Sequence, residues 1–539
     1  MEFDRFNSSH LGTFVRSLTD KTVSKKQMRE NMEALWTNFK ETIWRPIWQP
    51  FTKSSAKSSA LFIFIFFLVV GAFVSTRFLN TTNILSTITS LKYPSEKPKI
   101  QLNCTAYGPI VKCPSNYSTP YNPELHQHGS LSSTCPEHFR WIHEDLKPWA
   151  QTGITREMVE RAESLSLANF RLVIVKGKAY VETYRHSFQS RDVFTLWGIL
   201  QLLQRYPGRV PDLDMMFNCG DPPVVQSKAF SAPNATSPPP VFNYNKDSTT
   251  LDIVFPDWAF WGWPEIDIKP WVSLLNDLKK GNKKKKWVKR EPYAYWKGNP
   301  YVSPNRQDLF KCKASQNHDW NARLYAQDWV RASKQGYKQS NLADQCTHRY
   351  KIYIEGAAWS VSQKYIIACD SMTLLVKPRY YDFFARGLIP RHHYWPIRND
   401  DKCRSIKYAV DWGNSHKKEA QEIGKTGSKF IQEELKMEYV YDFMFHALNE
   451  YAKLLKYEPT IPPKATELCY EVMACEANGL AREFMMESMV TGPADSSPCT
   501  MPPPYDPSSL SSLLERETNS TKEVELWEKK YWENQNKKP

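Results

Sequence analysis

No cysteine precedes residue 104, although eleven occur from there onward in a chain of 539 residues. The twelve histidines include neither an HExxH motif nor a spaced Cys/His set, so nothing points to a structural or catalytic zinc site. There is no GxSxG elbow and no Walker A loop, which removes the α/β-hydrolase and P-loop nucleotide classes. No internal repeat argues for a solenoid. The first fifty residues carry neither the apolar region nor the small-x-small site of a cleavable signal peptide, and the last residues, NQNKKP, carry no KDEL-type retrieval signal.

One long apolar run is present, Ala60 to Val74, ALFIFIFFLVVGAFV. With its small polar flanks, Ser58 to Thr76, it makes about 19 residues, or roughly 28 Å of helix, enough to cross the thinner bilayers of the early secretory pathway. Arg45, Lys53 and Lys57 precede it, and only Arg77 follows closely. That bias places the N-terminal side in the cytosol. The expectation is a type II single-pass anchor with the remainder in an oxidising lumen, where the clustered cysteines form disulfides. An odd count leaves at least one cysteine free or paired between chains. Sequons at Asn103, Asn116, Asn234 and Asn519 suit that side. Without a retrieval signal, a Golgi membrane is expected, with the ER membrane as the alternative.

Aromatic residues make up 14% of the chain and the net charge is +14. The aromatic content suits either a large core or platforms for sugars. The basic run Lys279 to Arg290 would suggest nucleic acid in the cytosol, but a lumenal domain does not meet nucleic acid. It reads as a solvated loop, or as a positive field for a nucleotide diphosphate or acidic polysaccharide.

The chain divides into a cytosolic tail (1–57), the anchor (58–76), a Ser/Thr/Asn/Pro-rich stem (77–134), a folded region (135–459) and a C-terminal extension (460–539). In the folded region, Phe170 to Val175 and Ala179 to Thr183 read as a hairpin around KGK, and Val193 to Arg205 as a helix. Leu213 to Asn218, Tyr293 to Lys297, Tyr350 to Ile354 and Thr373 to Val376 read as strands. Helices are expected over Trp271 to Lys280, ended by Gly281, then from Ser360 to Ala368, and over Lys417 to Ile423, Ser428 to Lys436 and Tyr439 to Tyr457. Strand–glycine–helix units in succession argue for parallel sheets with ligands at the strand C-termini.

Three segments carry candidate chemistry. Asp221 follows a short apolar strand, between Gly220 and a Pro-Pro pair, where a carboxylate serves either as a general base or as a turn cap. In YWKGNPYVSPNR, Gly298 permits close approach of a ligand, and Lys297 and Arg306 supply charge for a diphosphate; solvated loop cations are the plainer reading. In YIEGAAWSVSQKY, Gly356 closes a strand and Ser360 can cap a helix whose free N–H groups suit phosphate, with Ser362 and Lys364 adding contacts. Asp212-Leu213-Asp214 matches the D-x-D pattern of metal-dependent glycosyltransferases, but it opens a strand at the end away from Asp221. No metal is expected.

In this order the segments resemble the Rumi-type O-glucosyltransferases of glycosyltransferase family 90, with a capsule-associated-protein-like domain. The resemblance runs from Cys135 to Tyr457 and includes IHEDLKPW, GITREM, VPDLDMMFNCGDPP, FPDWAFWGWPE, YWKGN…SPNR, QCTHRYKIYIEGAAWSVSQKYIIACDS and EIGKTGSKFI. The anchor and the tail after Lys464 lie outside the resemblance and look like the membrane-anchored plant-type members. It implies an α/β, GT-B fold: two Rossmann-like domains facing across a cleft, with an acceptor-side lobe over roughly 150–285, a UDP-side lobe over roughly 290–430 and closing helices to 459. It implies inverting, metal-independent transfer of glucose or xylose from UDP-glucose or UDP-xylose, with no further cofactor. Asp221 becomes the catalytic base. Lys297, Gly298, Asn299, Arg306, Gly356, Ala357, Ala358, Trp359, Ser360, Ser362 and Lys364 become the UDP-binding set. Phe188, Ser190, Arg191, Trp263 and Pro264 are assigned to acceptor or sugar contacts. A family disulfide maps onto Cys346 and Cys369. The sequence departs from soluble members at Ser362, where they carry a diphosphate-binding arginine. It departs again at Phe188 to Asp192, FQSRD, which lacks their disulfide loop. Cys135 has lost its partner in the last helix, so a tail cysteine is expected to replace it. These departures favour a glycan or glycoprotein acceptor in the Golgi, against the alternative of serine in EGF-like domains. A lumenal lectin or scaffold that has lost turnover is the non-enzymatic alternative.

Overall fold

The computed structural model describes Leu102, Cys104 and residues 112–126, 133–232 and 236–537. The expected cytosolic tail, the anchor at 58–76 and most of the stem lie outside the described residues. Among the described residues, no helix is long and apolar enough to cross a membrane.

Eleven strands form two sheets, in a mixed α/β architecture. The first sheet holds β1 (Phe170–Val175), β2 (Lys178–Thr183), β3 (Leu213–Phe217), β4 (Val241–Asn243) and β5 (Ile253–Val254). The second holds β6 (Glu291–Gly298), β7 (Ala322–Ala326), β8 (His348–Tyr353), β9 (Met372–Val376) and β10 (Trp395–Ile397). The last strand, β11 (Thr466–Leu468), returns to the edge of the first sheet, whose order is β11-β2-β1-β3-β4-β5.

The second sheet is parallel throughout, in the order β10-β9-β8-β6-β7. The first is not, contrary to the expectation of parallel sheets. Lys176 and Gly177 both adopt positive φ, 52° and 74°, and close a two-residue hairpin that makes β1 and β2 antiparallel. β1 also runs antiparallel to β3, and only β3, β4 and β5 are mutually parallel. β3 is wholly buried and apolar apart from Asp214, as a central strand covered on both faces must be.

Two helix boundaries differ from the sequence reading, and glycine explains both. The helix from Trp271 runs through Gly281 to Lys284. A Cβ at Gly281 would stand 2.3 Å from the Ala343 carbonyl oxygen, so this glycine admits a crossing backbone and does not end the helix. The two helices expected around Gly424 and Gly427 are one, Lys417–Glu434. There a Cβ at Gly424 would meet the backbone nitrogen of Met372 at 2.7 Å, which lets the helix lie against the start of β9.

The extension is built into the fold. β11 pairs with β2, and disulfides Cys104–Cys475, Cys113–Cys469 and Cys135–Cys499 tie it to the chain ahead of the first helix. The tail cysteine expected to meet Cys135 is therefore Cys499. Cys312–Cys403 and the expected Cys346–Cys369 complete five bonds, and the odd cysteine is the buried Cys219. Helix Pro507–Asn536 lays Val524, Trp527 and Tyr531 on the core of the second sheet.

Gly281→Ala and Gly281→Asn should both lower the thermal midpoint, corresponding to about 1–3 kcal/mol of overpacking. A helix-ending glycine would instead accept asparagine with little change, so equal loss in a thermal scan of the two variants checks the packing account.

Candidate active site

The turn after β3 projects one carboxylate. Asn218 Oδ1 accepts the Gly220 N–H at 2.7 Å, and its Nδ2 donates to the Leu167 carbonyl. Asn169 Oδ1 accepts the Cys219 N–H at 2.9 Å. Asn245 Nδ2, beyond β4, donates to the Asp221 carbonyl at 2.8 Å. The turn is thus held by side-chain amides on three sides. The Asp221 side chain emerges 38% exposed, with Oδ1 accepting from Arg191 Nη1 at 2.8 Å.

Arg191 opens helix Arg191–Arg205 and is itself buried. Its Nη1 also donates to the Cys219 carbonyl, and its guanidinium lies 4.6 Å from the Trp258 ring centre and 5.4 Å from that of Phe188. A fixed, planar cation thus orients Asp221. Asp221 Oδ2 has no hydrogen-bond partner among the described residues. A cavity of about 460 Å³ opens here, lined by Arg185, His186, Phe188, Arg191, Cys219 and Asp221 among others.

The second sheet supplies the other part. Its order makes the junction of β6 and β8 the point where successive connections diverge, which is where open parallel sheets hold ligands. Arg306 follows β6, in helix Pro304–Leu309, where Ser303 caps its N–H. Gly356 follows β8. Arg306 is 9% exposed, yet its partners are neutral oxygens: the carbonyls of Glu355 (2.9 Å), Ile354 (3.3 Å) and Asn299 (3.3 Å), and Ser360 Oγ (3.1 Å). Burial lowers its pKa from the ordinary arginine value, while the Tyr353 hydroxyl and the Asp221 carboxylate pull upward. A buried guanidinium without a bonded carboxylate is set for an incoming anion. The Asp221 carboxylate is among the charges that act on Arg306.

The remaining candidates divide. Ser360 and Ser362 share a hydroxyl contact at 2.9 Å beside Arg306, but Ser360 caps no helix. The helix is Ser362–Ile367, six residues long, and its N-cap Val361 offers no side chain. Ala357 is exposed beside Gly356, while Ala358 and Trp359 are buried. Trp359 lies against Tyr244 and Trp258, and so joins the loop after β8 to the aromatic group beneath Arg191. Lys364 is turned inward: it is 1% exposed, with Nζ donating to Asp257 Oδ2 at 2.7 Å. It cannot stand in for the arginine that Ser362 replaces. Lys297 donates to the Gln339 carbonyl at 2.5 Å, and Asn299 caps its own turn through Tyr301 N–H. Ser190, Trp263 and Pro264 lie together: Ser190 Oγ donates to Glu265 Oε2, and Trp263 Nε1 donates to Gln189 Oε1.

The D-x-D pair is structural. Asp214 is fully buried and takes Arg171 on both oxygens, at 2.8 and 2.6 Å, and Tyr457 on Oδ2 at 2.9 Å. Asp212 accepts the Lys176 N–H at the hairpin. Sequence reading missed Asn169, Arg185, Asn245 and Tyr337. Tyr337 donates from the segment after β7 to the Glu265 carbonyl at 2.5 Å, latching that segment onto the Ser190 side. Only the Asn-Tyr-Asn run that starts at the last residue of β4, with two amides spaced i, i+2, offered a readable signal.

Residues 130–528 match the family described as Glycosyl transferase family 90. Protein O-glucosyltransferase 1 of Homo sapiens is 28% identical over 347 residues, covering 61% of this chain and 83% of the relative. O-glucosyltransferase rumi of Drosophila melanogaster is 25% identical over 341 residues, covering 60% of this chain and 79% of the relative. The protein is therefore a glycosyltransferase. The chain belongs to glycosyl transferase family 90 and resembles its Rumi-type members; the family match continues past Lys464 to residue 528, as the integrated extension requires.

Asp214→Ala should cost about 3–5 kcal/mol, because it leaves the buried Arg171 with only the half-exposed Glu160, at 4.0 Å, as a counter-charge. Arg171→Ala should cost a similar amount, and a double-mutant cycle by denaturant unfolding should return a coupling of about 1 kcal/mol or more.

Proposed function

We propose that the protein is an inverting glycosyltransferase that moves glucose or xylose from UDP-glucose or UDP-xylose to a hydroxyl on a glycan or glycoprotein, without a metal. The observation that carries this reading is the buried Arg306, bonded only to neutral oxygens, within electrostatic reach of the exposed Asp221 carboxylate. In this reading the two sheets belong to the two lobes of a GT-B arrangement, with the first lobe holding the acceptor and the second the nucleotide.

The chemistry follows from the positions. Asp221 Oδ2 takes the proton of the acceptor hydroxyl as that oxygen attacks the anomeric carbon from the face opposite UDP. The bond from that carbon to the diphosphate oxygen breaks, and its electron pair leaves on UDP. Arg191 keeps Asp221 Oδ1 occupied and so fixes which oxygen receives the proton. Arg306, Ser360, Ser362 and the Gly298-Asn299 and Gly356-Ala357 backbone receive the departing diphosphate. Lys364 takes no part in this proposal.

The setting is proposed as a Golgi membrane, single-pass type II, with the catalytic unit in the lumen. The apolar run at 58–76 and five disulfides in the described residues support an oxidising compartment reached through a membrane anchor. The names of the relatives favour a protein acceptor, whereas the FQSRD segment, with no cysteine, favours a different grip.

Asp221→Asn should lower UDP release from UDP-glucose or UDP-xylose by about a hundredfold or more at unchanged nucleotide affinity, the span expected of a general base. Coupled UDP assays with parallel UDP-binding measurements check it; undiminished release by the variant would remove Asp221 from the chemistry.

A further inference from the structure

Arg185 carries a charge that nothing in the site uses. Its backbone is pinned, with its N–H donating to the Asn169 carbonyl and its own carbonyl accepting from Asn169 Nδ2. Asn169 is the same residue that holds the Cys219 N–H, so Arg185 is indexed to the turn that bears Asp221. Its guanidinium lines the cavity, is exposed, and has no partner among the described residues, while its charge is felt at Cys219.

The nearby acids are otherwise engaged. Asp192 accepts from Ser187 Oγ, Ser187 N–H and Val193 N–H, with His186 Nδ1 at 3.8 Å. Asp221 is held by Arg191, and Glu265 accepts from Ser190. The residues that line the cavity hold two guanidinium groups, Arg185 and Arg191, and one carboxylate, Asp221, which is paired with Arg191. Beside it, Phe188 is 68% exposed, with Arg191 lying against its ring and the rest of the ring open.

We propose that this side of the cleft takes a uronate-bearing oligosaccharide as acceptor, with Arg185 pairing with a sugar carboxylate and Phe188 carrying the apolar face of a pyranose ring. The proposal rests on the reading of Asp221 as the acceptor-activating base. A guanidinium matches a carboxylate with two parallel N–H···O bonds, and an exposed aromatic ring suits the C–H face of a sugar. The donor diphosphate does not need Arg185, because Arg306 stands ready on the other sheet. An acidic peptide fits less well. β2, the strand that leads into Arg185, pairs with β1 along its length and with β11 over Ala179 to Val181, which leaves only Glu182 and Thr183 uncovered at the Arg185 end of that edge, too short a stretch to receive an extended backbone. The net charge of the chain, +14, favours encounter with polyanions in general.

The test uses the full chain in detergent micelles and measures equilibrium binding of galacturonate and glucuronate trimers, each against the same trimer with its carboxyls reduced to alcohols. At least one uronate trimer should bind about tenfold or more tightly than its reduced form, the value of one charged hydrogen-bonded pair. Arg185→Gln should erase that margin and Arg185→Lys should keep part of it; the margin should shrink as salt rises. No margin, a margin untouched by Arg185→Gln, or equal competition by an oligo-aspartate peptide would overturn the proposal. Donor hydrolysis by the unaltered protein is followed in parallel. Hydrolysis without a margin sinks the acceptor assignment alone, whereas a margin without hydrolysis keeps the uronate site and sinks the enzymatic reading.

Discussion

The contact between Arg191 and Asp221 organises the site. In the proposed reading Asp221 accepts a proton and must be exposed to do so, and an exposed aspartate on a turn samples several rotamers. Here the guanidinium holds one oxygen at 2.8 Å, and the guanidinium is in turn fixed by the Cys219 carbonyl and by the Trp258 ring. Trp258 packs on Tyr244, Trp263 and Trp359. The aim of Asp221 therefore depends on an aromatic group drawn from both halves of the described structure. Trp359 belongs to the loop after β8, the same loop that places Ser360 on Arg306. Acid–base geometry on one sheet and anion geometry on the other share a common support.

Much of this could be read from the chain, for identifiable reasons. β3, β6, β8 and β9 are short apolar or aromatic runs bounded by glycine or polar turns, which fixes them locally. Asp221 and Arg306 were legible because each follows such a strand. What was not legible depends on tertiary contact. Gly281 and Gly424 look like helix stops, but each is needed where another backbone passes within 3 Å of the Cβ position. Lys364 looks like a phosphate ligand by spacing, but Asp257, more than a hundred residues away, takes it into the core. Asp214 looks like half of a metal pair until Arg171 is seen beside it. In each case a remote partner decides the role, and periodicity carries no information about remote partners.

Buried charge is handled in two ways. Asp214 meets Arg171, Asp145 meets Arg386 and Lys246, Asp257 meets Lys364 and Lys402 meets Asp308, all with at least one partner deeply buried. Each pair offsets its own desolvation and leaves nothing for a ligand. Arg306 is the contrast: carbonyl dipoles and a hydroxyl steady it without neutralising it. Glu355, whose carbonyl is one of those partners, has its carboxyl pushed up to about 7 by burial, against the Tyr380 and Arg379 N–H groups that favour its charged form.

The extension bears on the acceptor side through connectivity. Three disulfides join the segment 104–135 to the segment 469–499, across separations of 371, 356 and 364 residues. Whichever bond forms first closes a loop of that length, and the remaining two then close only short stretches between neighbouring bonds. Loop-closure entropy varies with the logarithm of length, so the first bond removes most of the chain's freedom and the others act mainly on local geometry. One of them, Cys113–Cys469, stands next to β11, and Lys178 of β2 pairs with Glu467 of β11 at 2.8 Å. Losing that edge strand would expose β2 over Ala179 to Val181. β2 leads directly to Arg185, His186 and the turn that begins the Arg191 helix, so the disulfide-bonded extension and the wall beside Asp221 are joined through one strand.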